Sequence, residues 1–221
     1  VIGSVYVWSR DDQFILATTV LKDRKPLIDK LLNVPSGPII AENDGEKAEN
    51  RTYQDLLKSP VDEANFETLV TSEITKFDLN GNQTAFKPAA MYYGMNFSPD
   101  GNYLLTYELK RPFSYLVTLD RFPTDVNISD KNGLLQTNFH KFPLNEVLPK
   151  GFMAVRKGKR SIQWRADRPA SLYWVEAQDD GDPEKNVDYR DAVFQIDAPF
   201  TDAPQMMVQT KDRYAGITWG D

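Results

Sequence analysis

The stretch MNFSPDGNYLLTYEL, Met95–Leu109, decides how this chain is read. An apolar run ends on Phe97, breaks at Ser98-Pro99-Asp100-Gly101, and resumes at Tyr103. Pro99 presets φ for a turn and Gly101 supplies a positive φ at no steric cost. A calcium loop of the EF-hand type needs further oxygen ligands at fixed positions and a distant Glu, and only Asp100-Gly101 fits that pattern. The break therefore reads as the bend of a β-hairpin.

Three other segments superimpose on it: VYVWSRDDQFIL, SIQWRADRPASLYW and GITWGD. In each, an apolar run ends on a large aromatic, so that Trp8, Phe97, Trp164 and Trp219 correspond. An Asp follows two or three residues later: Asp11, Asp100, Asp167 and Asp221. The intervals between the aromatics exceed the roughly 40–50 residues of a plain four-stranded propeller blade. Each excess coincides with an irregular connection: a polar insertion at 22–65, then ELKRPFSY, then QDDGDPEKN.

The remaining sequence supplies the other strands. Gln13–Val20, Thr68–Leu79, Gln83–Lys87, Ser114–Leu119, Asp125–Ser129, Leu134–Phe139, Ser171–Ala177, Ala192–Ile196, Gln205–Thr210 and Ala215–Trp219 are short runs rich in β-branched and aromatic residues, bounded by turn chemistry. The expected fold is all-β: a partial β-propeller of about three four-stranded antiparallel blades, at about 1–90, 91–150 and 151–213, with the next blade starting at 214–221. Within the 22–65 insertion, TYQDLLK (Thr52–Lys58) is the expected helix, with Thr52 as N-cap, Asp55 in capping-box position and Pro60 as the stop. Such a fragment exposes two blade faces, so self-association is expected of it.

Composition excludes several functions. The net charge is −6 with both signs interspersed and no long basic run, which argues against nucleic acid or an anionic membrane surface as partner. No apolar run approaches a membrane span, and VIGSVYVW opens without the charged and apolar regions of a signal peptide. There is no cysteine and a single histidine, His140, so thiol catalysis and His-rich metal sites are excluded. No G-x-S-x-G nucleophile elbow occurs.

The run VRKGKRSIQWRADRPASLYWVEAQDDGD, Val155–Asp182, is more specific than the turn motif. It resembles the propeller of the glutamyl-endopeptidase-like branch of the prolyl oligopeptidase family. KPLIDKLLNVPSGPII, RTYQDLLKSPVDEANFE, YLLTYELKRPFSYLV with the following RFP, and RYAGITW agree in the same order. The resemblance implies a serine peptidase whose propeller covers a C-terminal α/β-hydrolase domain of the same polypeptide and admits peptide substrates, after Glu in this branch. The catalytic triad would lie in that hydrolase domain, so this chain alone is expected to be inactive and to need no cofactor. A bacterial periplasmic location is expected from the resemblance only.

Candidate site residues follow. Arginine suits bidentate carboxylate recognition, and Arg156 or Arg160 is expected to meet a substrate carboxylate or the hydrolase domain. The competing reading is internal pairing with Glu176 or with the acidic loop. Glu176, after an aromatic strand, is a third contact candidate, although the Glu-Glu pair by which some relatives hold a peptide amino terminus is absent. Asp179, Asp180 and Asp182 are a weak metal candidate, with a solvated loop preferred. His140 and the strand aromatics read as structural. The alternative to the peptidase portion is a free-standing propeller serving as an interaction scaffold.

Overall fold

The computed structural model describes residues 2, 3, 5–29 and 53–220. Among these residues are eleven strands and one α-helix: β1 (Tyr6–Trp8), β2 (Phe14–Thr19), α1 (Pro60–Val70), β3 (Ser72–Asp78), β4 (Gln83–Phe97), β5 (Tyr103–Leu109), β6 (Thr124–Asp130), β7 (Leu135–Phe142), β8 (Lys159–Trp164), β9 (Ser171–Ala177), β10 (Asp191–Asp197) and β11 (Gln205–Thr210). They form two antiparallel sheets in which every strand pairs with its sequence neighbour. One runs β1 to β7 in order; the other runs β11-β10-β9-β8.

β4 has two halves. Its first half pairs with β3, as in Ser72 with Ala90 and Phe77 with Gln83. Its second half pairs with β5, from Met91 with Leu109 to Phe97 with Leu104. Gln83–Lys87 and Met91–Phe97, expected as separate strands, are thus one continuous strand. Pro88 sits inside it beside the register shift between Ser72 and Ile74, where a residue lacking an N–H is tolerated.

The hairpins at the repeated aromatics close alike. Ser9 N donates to Phe14 O at 2.9 Å, Ser98 N to Tyr103 O at 2.9 Å, and Arg165 N to Ser171 O at 2.8 Å. The turns also touch one another. Arg10 Nε donates to Ser98 O at 3.3 Å, Asp100 N to Pro169 O at 3.0 Å, and Trp164 Nε1 to Asn96 O at 3.2 Å. At Gly101, φ is +73° and a Cβ would lie 3.1 Å from Arg10 Cβ, so the turn needs glycine for both conformation and room.

Strand alternation buries both faces of the central strands. Leu104 joins Leu16, Ile74, Tyr92, Met95 and Phe97 in one core. Its neighbour Leu105 joins Val126, Ile128, Ile162, Leu172, Trp174 and Ile196 in another, which binds the second sheet to β5–β7. On β9, Leu172 and Trp174 face that core, while Tyr173 and Val175 face Tyr214, Ile217 and Trp219 of the C-terminal segment. A fourth cluster seats α1 through Val70 and Phe66 against Met91, Phe113 and Phe122. Each fully buried aliphatic or aromatic side chain in these layers contributes about 1.5–3 kcal/mol. The first strand differs: Trp8 is 45% and Tyr6 59% exposed.

The structure corrects several local expectations. The helix is Pro60–Val70, not Thr52–Lys58; Thr52 lies outside the described residues, and residues 53–58 are not helical. Pro60 starts the helix because its missing N–H costs nothing at the first position, and Ser59 Oγ caps it by accepting from Asp62 N at 3.2 Å. Asp55 has φ +59°, incompatible with a helix running through it. Thr68–Val70 belong to α1 rather than to the following strand. Ser114–Leu119 is not a strand: Ser114 Oγ accepts from Leu116 N at 3.0 Å, which curls the backbone, and a short 3-10 turn occupies Leu119–Arg121. Ala215–Trp219 is not a strand, and Trp219 packs edge-on to Tyr173 at 5.1 Å.

Candidate functional site at the long-loop end

With the two halves of β4 counted as separate strands, antiparallel succession places alternate connections at opposite ends, turns 9–13 and 98–102 meeting through Arg10 and Ser98, and the two ends differ. At the end carrying the repeated aromatics the connections are short: 9–13, 79–82, 98–102, 131–134, 165–170 and 198–204. At the other end they are long: 20–71 with α1, 110–123, 143–158 and 178–190. Loops on a rigid scaffold are where binding residues concentrate. All the sequence-derived site candidates fall on the long-loop end.

Arg160, near the start of β8, meets Asp191 through Nη2. Its Nη1 is buried without a hydrogen-bond partner. Asp191 is fully buried at the start of β10 and also accepts from Arg213 Nη1 at 3.2 Å and Tyr214 N at 2.6 Å. Arg213 in turn makes a two-pronged contact to Asp179, Nη1 to Oδ1 at 2.8 Å and Nη2 to Oδ2 at 2.7 Å. Arg190 reaches Asp179 Oδ2 at 2.8 Å. Three guanidinium groups and two carboxylates thus clamp the 178–190 loop and the C-terminal segment onto the second sheet. Burial pushes the Asp179 carboxyl up, but hydrogen bonds from Arg213 and Arg190 outweigh it and hold the group below its ordinary 3.8.

The acidic loop divides its charges. Asp180 is half-exposed between Lys157 at 2.8 Å and Lys185 at 2.6 Å, and hydrogen bonds from those lysines draw its carboxyl down to about 2. Asp182 Oδ1 accepts from Glu184 N at 3.0 Å. Asp179, Asp180 and Asp182 therefore point to three different sets of partners, and among the described residues no group of three His, Cys, Asp or Glu is arranged to hold a metal ion. The loop is pinned by Gly181, where φ is +83° and a Cβ would stand 2.0 Å from Val155 O.

Glu176 accepts from Trp174 Nε1 at 2.7 Å and Lys159 Nζ at 3.2 Å, and Lys159 lies 4.3 Å over the Trp174 ring. Its cationic partner is Lys159, the residue opposite it in the β8–β9 register, not Arg156 or Arg160. Arg156 stands apart from both networks. Its guanidinium lies 4.7 Å over the Phe142 ring and donates from Nη2 to the Asp120 carbonyl at 3.2 Å. Burial lowers its pKa, the Asp120 carboxylate counters, and Arg121 pushes it further down. His140 stacks edge-on to Phe142 at 4.5 Å.

Sequence reading singled out Arg156, Arg160 and Glu176 but missed Asp191, Arg190, Arg213 and Arg121. The tail arginine lies in RYAGITW, quoted only for resemblance, and Asp191 lies one residue before the strand read from the sequence as Ala192–Ile196.

The fold and this face define a protein of meandering antiparallel sheets with a charged, loop-built end. No family model matches the chain. Over 219 residues, 98% of its length, it is 37% identical to a rice protein (Oryza sativa subsp. japonica) named "Probable glutamyl endopeptidase, chloroplastic". It is 36% identical over 219 residues to a protein of the same name from Arabidopsis thaliana. The chain spans 23% and 22% of the length of these relatives.

Proposed function

We propose that the chain is the non-catalytic β-propeller portion of a serine peptidase of the prolyl oligopeptidase family, in its glutamyl-endopeptidase-like branch. The observation that carries the reading is the 37% identity along nearly the whole chain to a protein named as a glutamyl endopeptidase. The repeated hairpins support the finer fold. β1–β3 with the first half of β4, the second half of β4 with β5–β7, and β8–β11 are three four-stranded units in series. Phe97 and Trp164 each join a core shared with the preceding unit, and in a ring the exposed Trp8 would do the same against a preceding blade.

In this reading the long-loop end faces an α/β-hydrolase domain of the same polypeptide and limits entry to peptides. Arg160 and Glu176 shape that face through Asp191 and Lys159, and Arg156 is the residue of the three assigned to contact with substrate or domain. The test is to assay the 221-residue chain and the complete reading frame containing it on a peptide with one Glu-X bond and on a folded protein bearing the same bond. The expected result is an inactive chain and a complete protein that cleaves only the peptide. A reading frame without a G-x-S-x-G domain, or hydrolysis by the isolated chain, overturns the proposal.

A further inference from the structure

The short-turn end holds a cleft of about 430 Å³ between the 98–102, 165–170 and 198–204 connections, with Asp100, Asn102, Tyr103, Arg168, Ser171 and Asp197 among its walls. That volume is at the small end of ligand pockets, which span about 300–1,000 Å³. Backbone hydrogen bonds fix the walls: Asp100 N donates to Pro169 O at 3.0 Å, Ala198 N to Ala170 O at 2.9 Å and Phe200 N to Asp197 O at 2.9 Å. Phe200 takes φ +67°, a conformation that bulky side chains rarely adopt, and its ring stands edge-on to Tyr103 at 5.1 Å. Strain of this kind persists where the surrounding structure imposes it, and here it closes the turn that presents Asp197.

Two opposite charges line this cleft without meeting. Arg168 is exposed and makes no ion pair or hydrogen bond with a described residue. The carboxylates beside it are already engaged. Both oxygens of Asp167 accept from Arg165, at 3.0 and 2.6 Å; those bonds, with a smaller contribution from the Arg168 charge, lower the Asp167 carboxyl. Asp100 Oδ1 accepts from Ser98 Oγ at 2.6 Å and Asn102 N at 3.0 Å, and its Oδ2 from Asn102 Nδ2 at 2.8 Å. Asp197 differs: Oδ1 accepts from Ser171 Oγ, and Oδ2 has no partner among the described residues. Arg168 also borders a neighbouring cleft of about 510 Å³, but the carboxylates there are Asp100 and Asp167, both spent. In the first cleft Asp100 and Asp197 stand against Arg168, a net charge of −1. That balance disfavours a free anion, and a lone cation would leave Arg168 unanswered. A molecule with an ammonium at one end and a carboxylate at the other answers both Asp197 and Arg168. Between them the Tyr103 hydroxyl and Asn102 Oδ1, without partners among the described residues, offer a donor and an acceptor to an amide.

We propose that this cleft binds a short peptide with both termini free, its ammonium on Asp197 and its carboxylate on Arg168. The site lies at the opposite end from the loops assigned to the hydrolase domain, and it does not rest on the peptidase reading; where that reading holds, a short peptide is the class of molecule the reaction releases. The 221-residue chain is titrated calorimetrically with dialanine, with N-acetyl-dialanine and with dialanine amide. Dialanine is expected to bind at least about tenfold more tightly than either capped form. R168Q brings dialanine down to the level of the amide, and D197N brings it down to the level of the N-acetyl form. Equal affinity for the three peptides, no saturable binding of dialanine, or a preference that survives in folded R168Q and D197N overturns the site. Amide binding as tight as that of dialanine makes the cleft a cation site and overturns the proposal. Should a variant fail to fold, the nitrogen-15 signals of the Arg168 side chain and the Asn102 amide in the unmodified chain decide instead: they must shift with dialanine and not with its doubly capped form. A complete reading frame without peptidase activity would sink the proposed function while leaving a measured dipeptide site standing; activity in a protein that does not bind dialanine would sink the site alone.

Discussion

Asp179→Asn tests the clamp that builds the long-loop end. The Asp179 side chain is fully buried and accepts from Arg213 at 2.7 and 2.8 Å, from Arg190 at 2.8 Å and from Gly181 N at 2.9 Å. Asparagine keeps the shape and the contact to Gly181 N, but its amide turns a donor toward guanidinium donors. The surplus over the five-residue network rises from one positive charge to two. Removing one partner of a buried ion pair costs about 3–5 kcal/mol. Arg190 is 28% exposed and can turn to water, and Arg213 keeps Asp191 at 3.2 Å, which sets the expectation at the lower end, about 3 kcal/mol. At about 2–4 °C per kcal/mol for a chain of this size, Tm falls by about 6–12 °C. Urea unfolding followed by tryptophan fluorescence reads the same loss. Asp180→Asn, on the same loop but half-exposed between two lysines, should leave the midpoint unchanged. The pH dependence is also determined. Because the Asp179 carboxyl is held below 3.8, its stabilisation is complete above that value and is lost as pH falls through the lower folded-state value. The gap between the two proteins should be flat from neutral pH down to about pH 4 and close below it. Equal midpoints for Asp179→Asn and Asp180→Asn would refute the reasoning.

Three further outcomes are expected. Ser59→Ala removes the side-chain N-cap of α1 and should cost about 1 kcal/mol, seen as faster amide exchange across 60–70; unchanged exchange would place the helix stability elsewhere. Phe97→Ala empties a side chain that is 1% exposed and should cost about 3–5 kcal/mol, whereas Trp8→Ala, at a half-open face, should cost far less in the isolated chain; equal losses would mean that the Trp8 face is covered in solution. His140→Gln should flatten the fall in stability between about pH 7 and pH 5. Burial, then Lys159, lowers the His140 pKa below 6.5, so the unfolded chain takes up the proton first and stability drops as pH falls through that window; an unchanged slope in chemical denaturation would exclude it.

Where the local chemistry has one solution, the sequence is a faithful guide to this fold. Pro99-Asp100-Gly101 and Asn80-Gly81-Asn82 allow only tight turns, and the strands flanking them lie where alternation places them. Where one residue serves two roles, reading fails. Proline ends a helix as readily as it begins one, so Pro60 alone does not locate α1. Ser59 and the packing of Phe66 against Phe113 at 5.1 Å and Phe122 at 6.0 Å decide it. Pro88 and Gly94 suggest breaks, yet β4 runs through both, because the register shifts at Ser72/Ile74 and at Tyr92/Gly94 absorb the missing N–H and the change of partner.

The site was legible as a concentration of arginine and aspartate, but not as a set of pairs, because pairing depends on register. Between Arg160 and Gln163 the β8–β9 ladder shifts, and Ser161 sits at φ +52°. That bulge leaves Arg160 opposite Val175, on the face where β10 presents Asp191 and the C-terminal segment presents Arg213. Simple alternation along VRKGKRSIQW treats Arg156 and Arg160 as equivalent. The folded chain separates them, committing Arg160 to a buried clamp and laying Arg156 across Phe142 beside Arg121. Charge density in the sequence therefore marks the region, and only the register tells which cations are consumed in holding it together. Arg160 is consumed in that way, whereas Arg156 is held by the Phe142 ring and the Asp120 carbonyl.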